Sequence, residues 1–146
     1  MYSKATLNEL IEILTRLGFK EITNLSELQE RKGTYVLIIY LEKDTKIRVG
    51  ALGEIYFKSG YYAYVGSAFR RGLLYRRILR HISREKKIRW HIDYFLQHAC
   101  IKKIFVVFDK KCECHVAMSL IKHGFKYIPN FGSSDCKCPS HLFHCN

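Results

Sequence analysis

Between Phe69 and Trp90 the chain carries nine basic side chains (Arg70, Arg71, Arg76, Arg77, Arg80, Arg84, Lys86, Lys87 and Arg89) against Glu85 alone, a local charge of +8. Holding like charges so close costs energy, and a polyanion offsets that cost because lysine and arginine release its condensed counterions. Nucleic acid suits this chemistry; a solvated helix face that only keeps the protein soluble is the bland alternative. A second group suits a metal. Cys112, Cys114, Cys136 and Cys138, with His115, His141 and His144, form a soft-ligand set able to take zinc. Their Cys-x-Cys spacing is a poorer template than Cys-x-x-Cys, so small buried thiols are the competing reading. In SSDCKCPSH, Asp135 and His141 could also line a cleft. Trp90 reads as a core anchor, and His91 and Asp93 as helix-start contacts or cleft residues.

These groups sit in a chain of 146 residues that is 48% hydrophobic, enough for one ordinary core. The net charge is +12, yet residues 1–30 hold three basic and five acidic side chains, so the excess lies downstream. No apolar run approaches the roughly 20 residues that cross a bilayer, and the start MYSKATLNEL lacks a signal-like stretch. A cytoplasmic location without a membrane partner is expected, with thiols reduced or metal-bound.

The elements that must position the chemistry follow from periodicity. Leu7, Leu10, Ile11, Leu14 and Leu17 recur at helical spacing behind a Thr6-x-x-Glu9 capping box, which predicts an N-terminal helix ended by Gly18. Residues 19–32 read as a polar connection with a helical turn near Leu25–Leu28. TYVLIIYL (34–41) is rich in β-branched and aromatic residues and apolar on both faces, a buried central strand. IRVG, EIYF and YYAYVG, punctuated by Gly50, Gly53 and Gly60, predict antiparallel hairpins. Helices are expected over 73–83, 90–99 and 113–123, with a strand over 101–108. The segment from Pro129 onward has no periodicity and reads as a loop. The expected fold is α+β: a small, mostly antiparallel sheet flanked by helices, with residues 1–30 a helical extension and 31–146 the main domain.

Gly33-Thr34-Tyr35 opens the central strand, and Tyr64-Val65-Gly66 closes the last hairpin strand just before the basic helix. In this order the motifs resemble the GIY-YIG nuclease superfamily. The wider set GTYVLII, YAYVGSA, RHI, WHIDYF, CEC and GSSDCKCPSHLF is similar to an archaeal GIY-YIG subfamily whose members are sometimes joined to endonuclease III-type domains. The resemblance implies that Tyr35, Tyr64 and Arg77 share a cleft, with Arg77 in LLYRRILRH matching the family's functional arginine. His81, four residues on, falls on the same helix face. Two departures stand out. The tyrosine motifs are spaced more widely than in the family, as an inserted hairpin over residues 47–57 would explain. The family's metal-binding glutamate, in an Ala-x-x-x-Glu context, has no counterpart at that depth of CECHVAMSLIK; Glu113, one turn earlier, is the candidate ligand.

What the resemblance implies is a metal-dependent endonuclease acting on DNA in preference to RNA, in repair or recombination, with magnesium or manganese as cofactor. Phosphodiester hydrolysis needs a base or positioned hydroxyl for the water, a cation for the phosphorane and a metal on the phosphate. Tyrosine serves as base only if neighbouring cations lower its phenol. Arg77 can grip two phosphate oxygens, and His81 can relay a proton or contact phosphate. Arg70, Arg71, Arg76, Arg80, Arg84, Lys86 and Lys87 are expected to hold the nucleic acid. The rival expectations are a non-catalytic nucleic-acid-binding module and an accessory domain with a repair-protein partner.

Overall fold

The structure is a computed structural model that describes residues 4–70, 73–133 and 136–145. Its spine is the strand that the sequence marks as buried on both faces: β2 (Gly33–Leu41) lies in the middle of a six-stranded antiparallel sheet. β5 (Gly60–Ala68) pairs along one side of it and β6 (Cys100–Phe108) along the other. β1 (Lys20–Glu21) extends the sheet beyond β6, while β8 (Leu142–Cys145) and then β7 (Lys126–Tyr127) extend it beyond β5. β3 (Thr45–Arg48) and β4 (Glu54–Phe57) form a separate two-stranded hairpin, as the wide spacing of the tyrosine motifs predicts. The fold is α+β.

Alternation along β2 sorts the core into two layers. Tyr35, Leu37 and Ile39 point to one face, where α2 (Leu73–Ile82), α3 (His91–Leu96) and the β3–β4 hairpin cover them. Phe57 of the hairpin meets Phe95 of α3 with ring centroids 4.9 Å apart. Val36 and Ile38 point to the other face, under α1 (Leu7–Arg16) and α4 (Glu113–Lys122). The Thr6–Glu9 capping box that starts α1 is formed. No helix among the described residues is long and apolar enough to cross a membrane.

Two parts of the chain differ from expectation. The connection after α1 supplies β1 as well as a 3-10 turn at Leu25–Leu28, and Ile22 and Leu28 enter the core. The residues after Pro129 are not loop throughout, for Leu142–Cys145 form β8 between β5 and β7. All four are buried. A short strand buried on both faces has no polar-apolar alternation to betray it.

Candidate active site

The cleft opens where β2 begins and β5 ends. In the antiparallel register Tyr35 faces Gly66 and Leu37 faces Tyr64, so both tyrosines project from the same face of the sheet. Both glycines of the two motifs are fixed by close approach. A Cβ on Gly66 would lie 2.5 Å from the Tyr35 ring and hydroxyl, so the phenol can occupy that space only because residue 66 has no side chain. A Cβ on Gly33 would lie 2.2 Å from the Val107 carbonyl oxygen.

α2 crosses this face and buries Leu74, Ile78 and His81. His81, on its inner side, places Nε2 2.7 Å from the Tyr35 hydroxyl, and its Nδ1 has no hydrogen-bond partner among the described residues. Arg77, one turn earlier, donates through Nη1 to the Ser67 carbonyl at 3.1 Å and stacks 4.7 Å above the Trp90 ring. From the opposite face, α4 begins with Glu113, which accepts a short hydrogen bond from the Ser67 hydroxyl. Lys111 Nζ lies 3.1 Å from Ser67 Oγ and 3.4 Å from Glu113 Oε2. Ser67 therefore joins Arg77 to Glu113.

Tyr35, Tyr64, Arg77, His81 and Glu113, drawn from four elements, line one cleft of about 810 Å³. Arg70, Arg89 and Lys111 are exposed along its lining. Burial sets the protonation of its floor. It pushes the Tyr35 phenol up to about 12 although the Arg77 guanidinium pulls the other way, and it raises Tyr64 as well. The condition for a tyrosine base, phenols lowered by neighbouring cations, is thus not met: desolvation outweighs the neighbouring charge. Burial, helped by the Lys86 ammonium, drives His81 down to about 3, so its imidazole is neutral. Burial alone would raise Glu113, but the Ser67 hydrogen bond and the charge of Lys111 hold its carboxyl below the usual range. It is a carboxylate at neutral pH.

The basic segment divides. Arg70, Arg76 and Lys87 are exposed, whereas Arg71 lies outside the described residues, as does Asp135. Arg80, Arg84 and Lys86 are engaged within the protein. Arg80 donates through both terminal nitrogens to Asp93 at 2.8 Å and stacks on Trp90 at 4.3 Å. Arg84 donates to the Leu96 carbonyl, and Lys86 caps the end of α2 through the carbonyls of Arg80 and His81. Asp93 also accepts from the backbone amides of Arg89 and Trp90, which makes it a structural hub rather than a cleft residue. These three cations were expected on the nucleic-acid surface; their partners lie on α2, α3 and the segments beside them. Trp90 is half-buried and lines the cleft as a platform for arginine.

Ser67 and Lys111 were not singled out by sequence reasoning. Ser67 follows directly on Tyr64-Val65-Gly66, so its place beside the motif was the available signal. Cys114, Cys136, Cys138 and His141 form a group able to hold a metal ion, each offering a ligand atom within 4.8 Å of the others. Cys112 instead precedes α4 as its N-cap residue, its amide donating to Thr34 Oγ1. His115 is exposed, and His144 packs on the Tyr62 ring.

Residues 34–146, which include every lining group named above, match the model of the family described as domain of unknown function DUF123. The chain belongs to the DUF123 family. Its DUF123 region starts one residue before Tyr35 and runs through β8, so both tyrosine motifs, α2 and the cysteine-histidine group are family territory. No curated protein and no solved structure matches the chain.

Proposed function

We propose that the cleft hydrolyses phosphodiester bonds in nucleic acid, DNA in preference to RNA, as a GIY-YIG-type endonuclease dependent on magnesium or manganese. The observation that carries this reading is the convergence of Tyr35, Tyr64, Arg77, His81 and Glu113 on one cleft bordered by exposed cations. Arg77 is held by Ser67 and Trp90 with its charge toward the cleft, ready for a phosphate oxygen. Tyr35 is a neutral phenol, so its role is to orient rather than to take a proton outright: its hydroxyl, set by His81 Nε2, positions the water or a phosphate oxygen. Glu113 is ionised and lines the cleft, so it can ligate a hard cation, which usually binds one or two carboxylates and completes its shell with water and substrate phosphate. The bound metal would supply Lewis-acid polarisation of the phosphate.

A second reading, a non-catalytic nucleic-acid-binding module, is favoured by one feature. Neither Tyr35, near 12, nor His81, near 3, titrates near neutral pH, so neither of these two paired groups is a ready general base. Incubation with nicked, branched and single-stranded DNA, with magnesium, manganese or chelator, separates the two. Metal-dependent cleavage that Arg77→Ala abolishes supports the endonuclease; tight binding without strand scission under every metal condition supports the module.

A further inference from the structure

The densest cluster of soft donors lies at the edge of the cleft rather than on its floor. Cys114 is in the first turn of α4, whereas Cys136, Cys138 and His141 lie on the segment leading into β8. We propose that these four side chains bind one zinc ion in a closed structural site. That site fastens the segment before β8 to the start of α4, and thereby fixes the wall that carries Glu113.

The donor set decides the metal. Three thiol sulfurs and one imidazole nitrogen suit a borderline-soft, tetrahedral ion, and magnesium or calcium would take oxygen ligands instead. The geometry supports a single ion, because all four donor atoms lie within 4.8 Å of one another. Nε2 is the His141 nitrogen turned toward the group, 3.4 Å from Cys136 Sγ. Spacing helps on one side: two residues separate Cys138 from His141, and that loop is closed by Asn130 N to Pro139 O at 2.8 Å and His141 N to Phe131 O at 2.8 Å. Its backbone is therefore shaped before metal arrives. The site is also partly shielded, with Cys138 and His141 buried.

A disulfide is the competing use of these thiols, and it would leave a third thiol and the imidazole without a role. Zinc uses all four. With four protein ligands no position stays open for water, which makes the ion structural rather than hydrolytic. On binding, the three thiol protons pass to solvent, three S–Zn bonds and one N–Zn bond form, and no electrons are transferred. Cys114 is adjacent to Glu113, and Cys114, Cys136 and His141 all line the cleft, so the ion would stiffen the site without touching substrate chemistry.

The test uses the full chain purified under reducing conditions. Elemental analysis should find about one zinc per chain, and exchange for cobalt should give a thiolate-to-metal charge-transfer band with the visible bands of a tetrahedral ion. Cys138→Ser and His141→Ala should each lose the zinc, while Cys100→Ser, outside the cluster, should keep it. Glu113→Gln should also keep it, which separates this site from the proposed hydrolytic one. Reduced wild-type protein that binds cobalt without a charge-transfer band overturns the proposal, and this holds even if the variants fail to fold. So does a zinc content unchanged in both ligand variants.

Discussion

The Tyr35 hydroxyl lies 2.7 Å from Nε2 of His81, inside a region where both side chains are almost wholly buried. Tyr35→Phe keeps the ring over Gly66 but removes the partner of Nε2, in an imidazole whose Nδ1 already has none among the described residues. Leaving a buried polar atom unpaired costs about 1–3 kcal/mol. Chemical denaturation of the variant should show a loss in that range, and on the proposed endonuclease reading strand cleavage should fall far more than DNA affinity. An unchanged cleavage rate would remove Tyr35 from the mechanism.

Gly66→Ala tests the same contact from the other strand. The new methyl would meet the Tyr35 ring at 2.5 Å, and that ring, fully enclosed, has nowhere to swing. Overpacking of this kind costs about 1–3 kcal/mol. Thermal melting should register it, and cleavage should fall even where the protein remains folded, since the phenol is displaced from His81.

The neutral state of His81 links stability to pH. Its pKa is about 3 in the folded chain against 6.5 when unperturbed, so between these values the unfolded chain binds a proton that the folded one does not. The stability this group contributes is therefore fully present above pH 6.5 and is lost as pH falls toward 3, by up to about 1.4 kcal/mol per pH unit. His91, His141 and His144, also lowered by burial, act in the same direction. Denaturation at several pH values should show a shallower acid slope in His81→Gln than in the wild type; equal slopes would refute the assignment.

The arginines of the basic segment should separate by role. Arg76→Ala removes an exposed cation and should weaken DNA binding while lowering the salt slope by about 0.9, with little change in melting temperature. Asp93→Ala strands the Arg80 charge and strips two backbone amides of their acceptor, so it should destabilise by about 3–5 kcal/mol. Binding measured on the folded fraction should be nearly unchanged.

Much of the framework was legible in the residues themselves. The all-apolar run of β2, the glycine-punctuated hairpins and the helical spacing of α1 and α2 are local patterns, so periodicity and turn chemistry suffice to read them. The order of the two tyrosine motifs ahead of a basic helix likewise marked where a cleft would form. Charge raised the expectation of a polyanion at residues 69–90, but it did not show which cations stay exposed. That depended on Asp93, 13 residues beyond Arg80, and on the Leu96 carbonyl beyond Arg84, partners that only the packing of α2 beside α3 supplies. β8 was hidden because a strand buried on both faces carries no alternation, and its place between β5 and β7 is a matter of long-range pairing. Cys114, Cys136, Cys138 and His141 were visible as residue types, yet their selection over Cys112, His115 and His144 is decided by where α4 and the segment before β8 meet. The protonation of Tyr35 is tertiary in the same sense: the sequence shows the neighbouring cations, but only the enclosed position of the ring makes desolvation outweigh them.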